Sequence, residues 1–326
     1  MSAHTINGRI FIAGTGRSGT TRLAQLLGSH KRIYGVKNEA RFIIDPDGLL
    51  DLVEALSNRY SLYHSDQALK RFDAMMRRTL VGRKENAFKS WHLDKNFGQE
   101  IYFTRLNSFI ASLVDYEFDE QVPADSFFNP DRHYWPSENR TYRRVVGKYF
   151  PQREEIVGLC RDFVDDLFGS AAAVVGKNFW CEKTPLNLLS IPFLWELFPT
   201  AKIVHIKRDP RGVAYSLTQQ TWAPGNIADA LKILVPIYDR WQKLRESIDL
   251  QPDRYIEIKS ENFFTDCHNQ SGLLLDWLGA GPSEMNTANI SPDRIDSWRG
   301  KISSADLELC NRHLSPYLAL MGYEDH

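Results

Sequence analysis

The chain has 326 residues, of which 43% are apolar and 25% charged, and its formal net charge is −1. These values are typical of a globular domain, and a nearly neutral chain has no overall field to attract nucleic acid or an anionic membrane. The cysteines at 160, 181, 267 and 310 show no C-x-x-C spacing, which argues against a zinc site or a disulfide scaffold. Any anionic ligand must therefore be held by local groups.

The first elements predict a strand, a glycine-rich loop and a helix. Residues 9–13, RIFIA, form an apolar run typical of a buried strand, and residues 20–30 carry leucines at helical spacing. Between them lies GTGRSGTT, which is close to the phosphate loop G-x-x-x-x-G-K-[ST] but has Thr20 at the lysine position. RIYGV predicts a second short strand, which leads into KNEARF.

From about residue 45 to 173 the chain shows long stretches of helical spacing, together with an aromatic- and proline-rich loop at 127–142. We interpret 45–173 as a mostly helical insertion that forms an acceptor-binding lid. Strands are then expected in NFWCEKTP, AKIVHIKRDP and RYIEIKS, with helices between them and a helical tail interrupted at Pro316. The sequence thus predicts a single α/β domain over 1–326, with a P-loop-like parallel sheet flanked by helices.

The loop at 14–21 has the residues of an anion site. A strand that turns through glycines into a helix aims several backbone N–H groups at one point, with the positive end of the helix dipole behind them. Arg17 can add a cation, and Ser18, Thr20 and Thr21 can add hydroxyl donors. In nucleoside triphosphatases the loop lysine and Mg²⁺ neutralise the terminal phosphates, so a loop without the lysine predicts a less charged ligand and no metal. A phosphate bridged to a sulfuryl group meets this description.

Several segments together resemble a known family. GTGRSGTT resembles the 5′-phosphosulfate loop of sulfotransferases that use 3′-phosphoadenosine 5′-phosphosulfate (PAPS) as donor. CEKTPLNLL, IVHIKRDPRGVAYSL and SWRGKI resemble segments of the tyrosylprotein and carbohydrate sulfotransferases, in the same order. With KNEARF they cover both ends of the chain and leave about residues 45–173 unmatched. The resemblance implies sulfuryl transfer from PAPS, without a metal, to a hydroxyl of a carbohydrate, phenolic, lipid or peptide acceptor.

The resemblance also implies a donor site. Arg208 and Ser216 would hold the 3′-phosphate, and the R-x7-S spacing by itself allows both side chains to meet at the carboxyl edge of a parallel sheet. Asp209 suits a helix N-cap, although it could instead pair with Arg208. Lys301 would lie near a phosphate. The donor-binding residues expected in full are Gly16, Arg17, Ser18, Gly19, Thr20, Thr21, Arg208, Ser216 and Lys301.

Two residues are candidates for the chemistry. By resemblance, Glu39 is the base that accepts the acceptor proton, and Lys183 contacts the oxygen that bridges phosphorus and sulfur. Arg41 and His92 are candidate substrate contacts, and Arg41 could also orient Glu39. The alternatives are that Glu39 is a solvated carboxylate and that Lys183 forms a surface pair with its neighbour Glu182. The rival bases are His64, His92 and Asp94.

Two other functions remain open at this stage. One is a P-loop nucleotide kinase, which would be expected to carry the loop lysine, and the other is a non-catalytic nucleotide-binding protein. The N-terminal residues lack the pattern of a signal peptide, and no run of about 18 apolar residues predicts a membrane span. We therefore expect a cytoplasmic location, a small-molecule, glycan, lipid or peptide acceptor, and no nucleic-acid partner.

Overall fold

The structure is a computed structural model that describes residues 6–78, 93, 97–122, 140–287 and 293–324. The chain divides into two compact units. The sheet unit comprises Met1–Ala40 and Phe168–His326, and the middle unit comprises Arg41–Leu167.

The elements follow each other along the chain in this order: β1 Gly8–Ala13, α1 Thr20–Gly28, β2 Ile33–Gly35, a 3₁₀ turn Arg41–Ile43, α2 Leu49–Leu56, α3 Leu62–Arg78, α4 Gln99–Leu113, β3 Val114–Val122, β4 Arg140–Gly147, α5 Arg153–Val174, β5 Phe179–Lys183, a 3₁₀ helix Pro185–Ser190, α6 Ile191–Leu197, β6 Lys202–Lys207, α7 Pro210–Thr218, α8 Ile227–Ser247, β7 Tyr255–Lys259, α9 Ser260–Thr265, α10 Cys267–Leu278, α11 Asp293–Asp296 and α12 Ser304–Met321.

The sheet unit is built on a parallel sheet with strand order β2-β5-β1-β6-β7. The glycine-rich loop follows the central strand β1, whose neighbours on either side are β5 and β6. Since all five strands run the same way, the segments that follow them meet at one carboxyl edge. This confirms the predicted fold class of a parallel sheet flanked by helices.

The residues of β1 alternate between two apolar layers, as a strand buried on both faces requires. Ile10 and Ile12 belong to a buried cluster with Leu23 and Leu27 of helix α1. The ring of Phe11 meets Trp180 of β5 edge-on, with 5.2 Å between ring centroids. All of these side chains are at most 1% exposed, so β1 and the start of the loop are held from both sides.

The C-terminal helix differs from the sequence prediction. We expected an interruption at Pro316, but α12 runs unbroken through it. A proline inside a helix removes one backbone hydrogen bond, and tertiary packing offsets that cost here. Leu314 and Leu318, on either side of Pro316, are both buried, and Ser303 caps the helix by accepting from Asp306 N. Among the described residues, no helix is long and apolar enough to cross a membrane.

The middle unit contains helices and also a β-hairpin. Strands β3 and β4 pair antiparallel, with Glu117 opposite Val145. The stretch FTRLNSFIASLVDY, residues 103–116, has helical spacing, whereas α4 ends at Leu113. From there the sequence alternates, with Val114, Tyr116 and Phe118 separated by acidic residues, which is the period of a strand. Most of the predicted aromatic loop, residues 123–139, lies outside the described residues.

A buried carboxylate joins the hairpin to helix α3. Asp66 is fully buried and lies 2.6 Å from Lys70 Nζ and 2.9 Å from Arg144 Nη1, and it accepts from the backbone N–H of Val145 at 2.9 Å. Burial alone would raise the pKa of Asp66, but the hydrogen bonds from Lys70, Val145 and Arg144 outweigh it and lower the pKa. The ionised carboxylate therefore stabilises the fold above its unfolded pKa of about 3.9, and this contribution is lost as the pH falls below that value.

We expect Asp66→Asn to destabilise the middle unit by about 2–3 kcal/mol, as measured by urea unfolding at neutral pH. Breaking a fully buried pair costs roughly 3–5 kcal/mol, and the cost here is smaller because Lys70 is 39% exposed and can turn to water. The matched control is Asp119→Asn, since Asp119 pairs with Arg143 at a site where both are more than half exposed. It should change stability by less than about 0.5 kcal/mol. Equal effects of the two substitutions would contradict the anchoring role of Asp66.

Candidate active site

The loop between β1 and α1 turns through the left-handed region of backbone space. Gly16, Arg17 and Gly19 have φ values of 77°, 55° and 105°. Gly14 is required for a different reason, since a Cβ atom there would lie 2.5 Å from Ser18 Oγ and 2.9 Å from the carbonyl oxygen of Ile206. The glycines therefore let the chain pass tightly from strand to helix, which bulkier residues would prevent.

The loop presents unpaired donors. Among the described residues, the backbone N–H groups of residues 16–19 donate to no backbone carbonyl. Those of Thr20 and Thr21 stand in the first turn of α1, where a helix offers no partner. The hydroxyl of Ser18 is fully buried and makes no hydrogen bond within the described residues. Buried polar groups are normally satisfied, so these donors fit a bound anion.

A cavity of about 680 Å³ opens over this loop. It brings together eight of the nine donor-site residues predicted from the sequence. The ninth, Gly16, lies within the loop, where an added Cβ atom would lie 4.0 Å from Pro185 Cβ. Arg17 Nε donates to Ser216 Oγ at 3.2 Å, which joins the loop to helix α7. The lining residues among those predicted are Arg17, Ser18, Gly19, Thr20, Thr21, Arg208, Ser216 and Lys301.

Arg208 is held by backbone carbonyls. Its Nη1 donates to the carbonyl of Arg17 at 3.0 Å and its Nη2 to that of Ile295 at 2.5 Å. Its Nε is buried and has no partner among the described residues. Burial lowers the pKa of Arg208, and burial likewise lowers that of Arg17. An anion bound between the two guanidinium groups would favour their charged forms and so offset the effect of burial.

Asp209 is engaged elsewhere, so it does not pair with Arg208. Its carboxylate lies 2.9 Å from Arg211 Nη2 and 3.4 Å from Arg299 Nη2. It also caps helix α7 by accepting from the N–H of Arg211, and Pro210 occupies the first turn, as the sequence predicted. The guanidinium of Arg208 is left facing the cavity without a carboxylate partner in the described part of the chain.

Glu39 and Lys183 lie in direct contact. Lys183 Nζ donates to Glu39 Oε1 at 2.7 Å, with Lys183 12% and Glu39 32% exposed. The loop after β5 touches the glycine-rich loop, because the N–H of Gly14 donates to the carbonyl of Pro185 at 2.8 Å. A carboxylate and an ammonium therefore stand beside the glycine-rich loop, at the same sheet edge. Lys183 does not pair with Glu182, which was the alternative considered from the sequence.

The remaining candidates belong to the middle unit or fall outside the described residues. Arg41 belongs to the middle unit, where its Nε donates to Asp45 Oδ2 at 2.5 Å. His64 Nδ1 lies 2.7 Å from the carbonyl oxygen of Arg59, in the same unit. His92 and Asp94 fall outside the described residues.

Other residues of the cavity were not anticipated from the sequence. Ser260 and Phe264 follow β7, so they stand at the carboxyl edge for the same topological reason as the predicted residues. The sequence could have indicated them, because Ser260 ends the predicted strand RYIEIKS and Phe264 follows it. The further lining residues are Arg22, Gln25, Ile295 and Ser297. Within the described ranges, no group of three or more His, Cys, Asp or Glu side chains is arranged to hold a metal ion.

The geometry can be compared with known proteins. A model of the sulfotransferase family matches residues 9–282, which is most of the chain. The chain belongs to the sulfotransferase family. The matched region includes the glycine-rich loop and the segments of Glu39, Lys183, Arg208 and Ser216, while Lys301 lies beyond its end.

Two curated sulfotransferases align with part of the chain. Both are omega-hydroxy-beta-dihydromenaquinone-9 sulfotransferases Stf3, from Mycobacterium bovis and Mycobacterium tuberculosis, and each is 28% identical over 162 residues. The alignment covers 44% of this chain and 41% of the relative, so the chain matches about two fifths of the length of these proteins.

Solved sulfotransferase structures share the fold. The sulfotransferase domain of the olefin synthase from Synechococcus PCC 7002 has a TM-score of 0.52 and 17% identity, and the match covers 98% of this chain and 97% of that one. The sulfotransferase domain from the curacin biosynthetic pathway has a TM-score of 0.50 and 12% identity, covering 98% and 99%. At such low identity these likenesses concern the fold alone.

Proposed function

We propose that this sulfotransferase moves the sulfuryl group from PAPS to a hydroxyl of its acceptor, with Glu39 as the base. The observation that carries the proposal is the contact of Glu39 and Lys183 at 2.7 Å beside an anion-binding loop that has no lysine. A proton acceptor and a cation are both needed for transfer of a charged group between oxygens. A non-catalytic binding protein would need neither.

The cavity groups the residues to which the family resemblance assigns donor binding. The free N–H groups of residues 16–21 and the guanidinium of Arg17 would hold the 5′-phosphosulfate. Arg208 and Ser216 would hold the 3′-phosphate, and Lys301 would add a cation at the cavity wall. These groups suit a bis-anionic nucleotide, because one cavity combines the loop N–H groups with the side chains of Arg17, Arg208 and Lys301. A kinase would have a lysine where Thr20 stands.

When bound, the donor supplies a sulfuryl group on a phosphate leaving group. Glu39 accepts the proton of the acceptor hydroxyl, and its 32% exposure leaves it open to that hydroxyl. Lys183 places its ammonium where negative charge develops on the leaving oxygen, a contact that counts mainly in the transition state. Arg17 and the loop N–H groups would hold the donor phosphate, so that the acceptor oxygen could attack the sulfur opposite the leaving oxygen.

For the acceptor, we propose an alcohol on a lipid-like small molecule. The two mycobacterial relatives are named for an omega-hydroxy menaquinone, which is a hydroxyl on an apolar molecule. A carbohydrate, phenol or peptide hydroxyl remains the alternative. We propose that the insertion predicted at 45–173 binds this acceptor, with His92 as a candidate contact within it and Arg41 as a candidate contact just before it. A cytoplasmic setting stays a prediction.

Nucleotide binding tests the donor assignment. We expect calorimetry to show that 3′-phosphoadenosine 5′-phosphate binds without Mg²⁺, and that ADP with Mg²⁺ binds roughly 10- to 100-fold more weakly. The difference reflects the lost contacts of the 3′-phosphate with Arg208 and Ser216, since a hydrogen bond to a charged group contributes about 1.5–3 kcal/mol. A preference for ADP with Mg²⁺ would rule the sulfotransferase donor out and favour a kinase.

A screen with sulfur-labelled PAPS in the presence of EDTA addresses the acceptor. The acceptors are a long-chain alcohol, a hydroxylated quinone, a phenol, a monosaccharide and a tyrosine peptide. We expect label on one of the first two. Tight nucleotide binding without transfer to any of the five would favour a non-catalytic protein.

A further inference from the structure

Glu182 immediately precedes Lys183 on strand β5, yet its side chain is directed into the protein. It is fully buried, whereas Lys183 contacts Glu39. Glu182 Oε1 accepts from the backbone N–H of Ala40 at 2.9 Å and from Thr184 Oγ1 at 2.7 Å. Its Oε2 accepts from Asn187 Nδ2 at 2.8 Å.

The three donors belong to three segments of the site. Ala40 follows Glu39, and Thr184 follows Lys183. Asn187 Nδ2 also lies 3.3 Å from the carbonyl of Ile12, which precedes the glycine-rich loop by one residue. The carboxylate of Glu182 therefore bonds the segment of Glu39 and the segment of Lys183 directly, and it contacts β1 through Asn187.

Burying the carboxylate of Glu182 costs free energy. A buried carboxylate loses its hydration, and an apolar residue of the same size would avoid that cost. Burial raises the pKa of Glu182, and the hydrogen bonds from Asn187, Thr184 and Ala40 oppose that shift. All three partners are donors, so the site is built to receive an acceptor group. The bond to Ala40 restrains the backbone one residue from Glu39.

We propose that Glu182 is a positioning residue, which sets the distance between the carboxylate of Glu39 and the ammonium of Lys183 through its bond to Ala40. The inference rests on the proposed function, because it assigns Glu39 and Lys183 to the reaction. Glu182 itself does not reach the cavity over the glycine-rich loop, and none of its hydrogen bonds involves a residue that lines it.

Length and charge of the side chain can be varied separately. Glu182→Asp keeps the charge but shortens the side chain by one methylene, so that Ala40 loses its acceptor. Glu182→Gln removes the charge but keeps Oε1 for both Ala40 and Thr184, and Asn187 can turn its amide oxygen towards the new amide nitrogen. If the bond to Ala40 is what matters, the neutral glutamine should be active and the charged aspartate should not.

The measurements are kcat with saturating donor and acceptor, and the Kd of 3′-phosphoadenosine 5′-phosphate by calorimetry. We expect Glu182→Asp to lower kcat about 10- to 100-fold, since a displacement of roughly 1 Å can cost this much. Its nucleotide Kd should stay within about threefold of the wild-type value, because the donor-binding groups are untouched. Glu182→Gln should restore kcat to within about threefold of wild type.

Each other outcome overturns the inference. An aspartate variant with wild-type kcat would mean that the reach to Ala40 is unimportant. A variant that loses nucleotide binding together with kcat, or fails to fold, would mean that Glu182 serves the fold alone. Loss of kcat in Glu182→Gln but not in Glu182→Asp would mean that the charge, not the bond, is required. Equal losses in both variants would mean that the bond to Ala40 does not by itself explain the role of Glu182. If the wild-type protein transfers no sulfuryl group while binding the nucleotide, the proposed function fails, and that result is distinct from all of these.

Discussion

Glu39→Gln is expected to lower kcat by about 10²–10⁴-fold, the range that a positioned general base contributes. Glutamine has nearly the same size and can still accept the hydrogen bond from Lys183, which stands 2.7 Å from Glu39 Oε1. It cannot take a proton from the acceptor. The Kd of 3′-phosphoadenosine 5′-phosphate should therefore stay unchanged, because the residues proposed to hold the nucleotide do not include this carboxylate.

The control for this variant is Glu308→Gln. Glu308 lies on helix α12, is 74% exposed and pairs with Arg312 one turn along. It should leave both kcat and nucleotide binding at wild-type values. Wild-type turnover by Glu39→Gln would move the base elsewhere, to His64 or to the untested His92 and Asp94. Loss of nucleotide binding would instead mean that the substitution disturbs the loop after β1.

The fold of the sheet unit and the grouping of most cavity residues were largely predictable. Most of these residues follow the end of β1, β6 or β7, and parallel strands bring their carboxyl ends to one edge. Ile295, Ser297 and Lys301 instead follow helix α10. The apolar runs before Gly14 and Arg208 were enough to identify those strands. The N-cap at Asp209 was predictable as well, since an aspartate before a proline is a common helix start.

Contacts between distant segments were not predictable in this way. The Glu39–Lys183 pair joins residues 144 positions apart, and its 2.7 Å contact depends on side-chain directions. Glu182 shows the difficulty clearly. Adjacent glutamate and lysine in a sequence suggest a solvated pair, but successive side chains of a strand point to opposite faces. One of the two therefore enters the core while the other faces the site.

In the middle unit, a strand with alternating residues was predicted as the continuation of a helix. The stretch before Val114 has helical spacing, and the alternation from Val114 to Phe118 begins without a glycine or proline to mark the change. At Pro316 the prediction was wrong in the opposite direction, because the helix continues where an interruption was expected. A proline was taken as an interruption of helix α12, while the buried residues Leu314 and Leu318 hold the helix together across it. At Pro316 the local signal was outweighed by contacts that only the folded chain makes. At Val114 the strand period was present in the sequence but followed the helical stretch without a boundary signal.

Lys183→Met is expected to lower kcat by about 10²–10³-fold, the usual cost of removing one preorganised donor to developing charge. Methionine keeps the length and packing of the side chain without the ammonium. The KM for the donor should change much less than kcat, because the contact to the leaving oxygen strengthens as the bond breaks. Lys232→Met is the matched control, since Lys232 is 76% exposed on helix α8, and its kcat should equal that of wild type.

A double variant separates two roles for this lysine. If Lys183 acts only by orienting Glu39, its removal from a Glu39→Gln protein should cause no further loss, because the two residues then form one unit. If it stabilises the leaving oxygen, Lys183→Met should still cost roughly tenfold or more in that background. The labelled-donor assay can follow such slow turnover. We expect the second result, because the ammonium is needed at the bond that breaks and the carboxylate at the bond that forms.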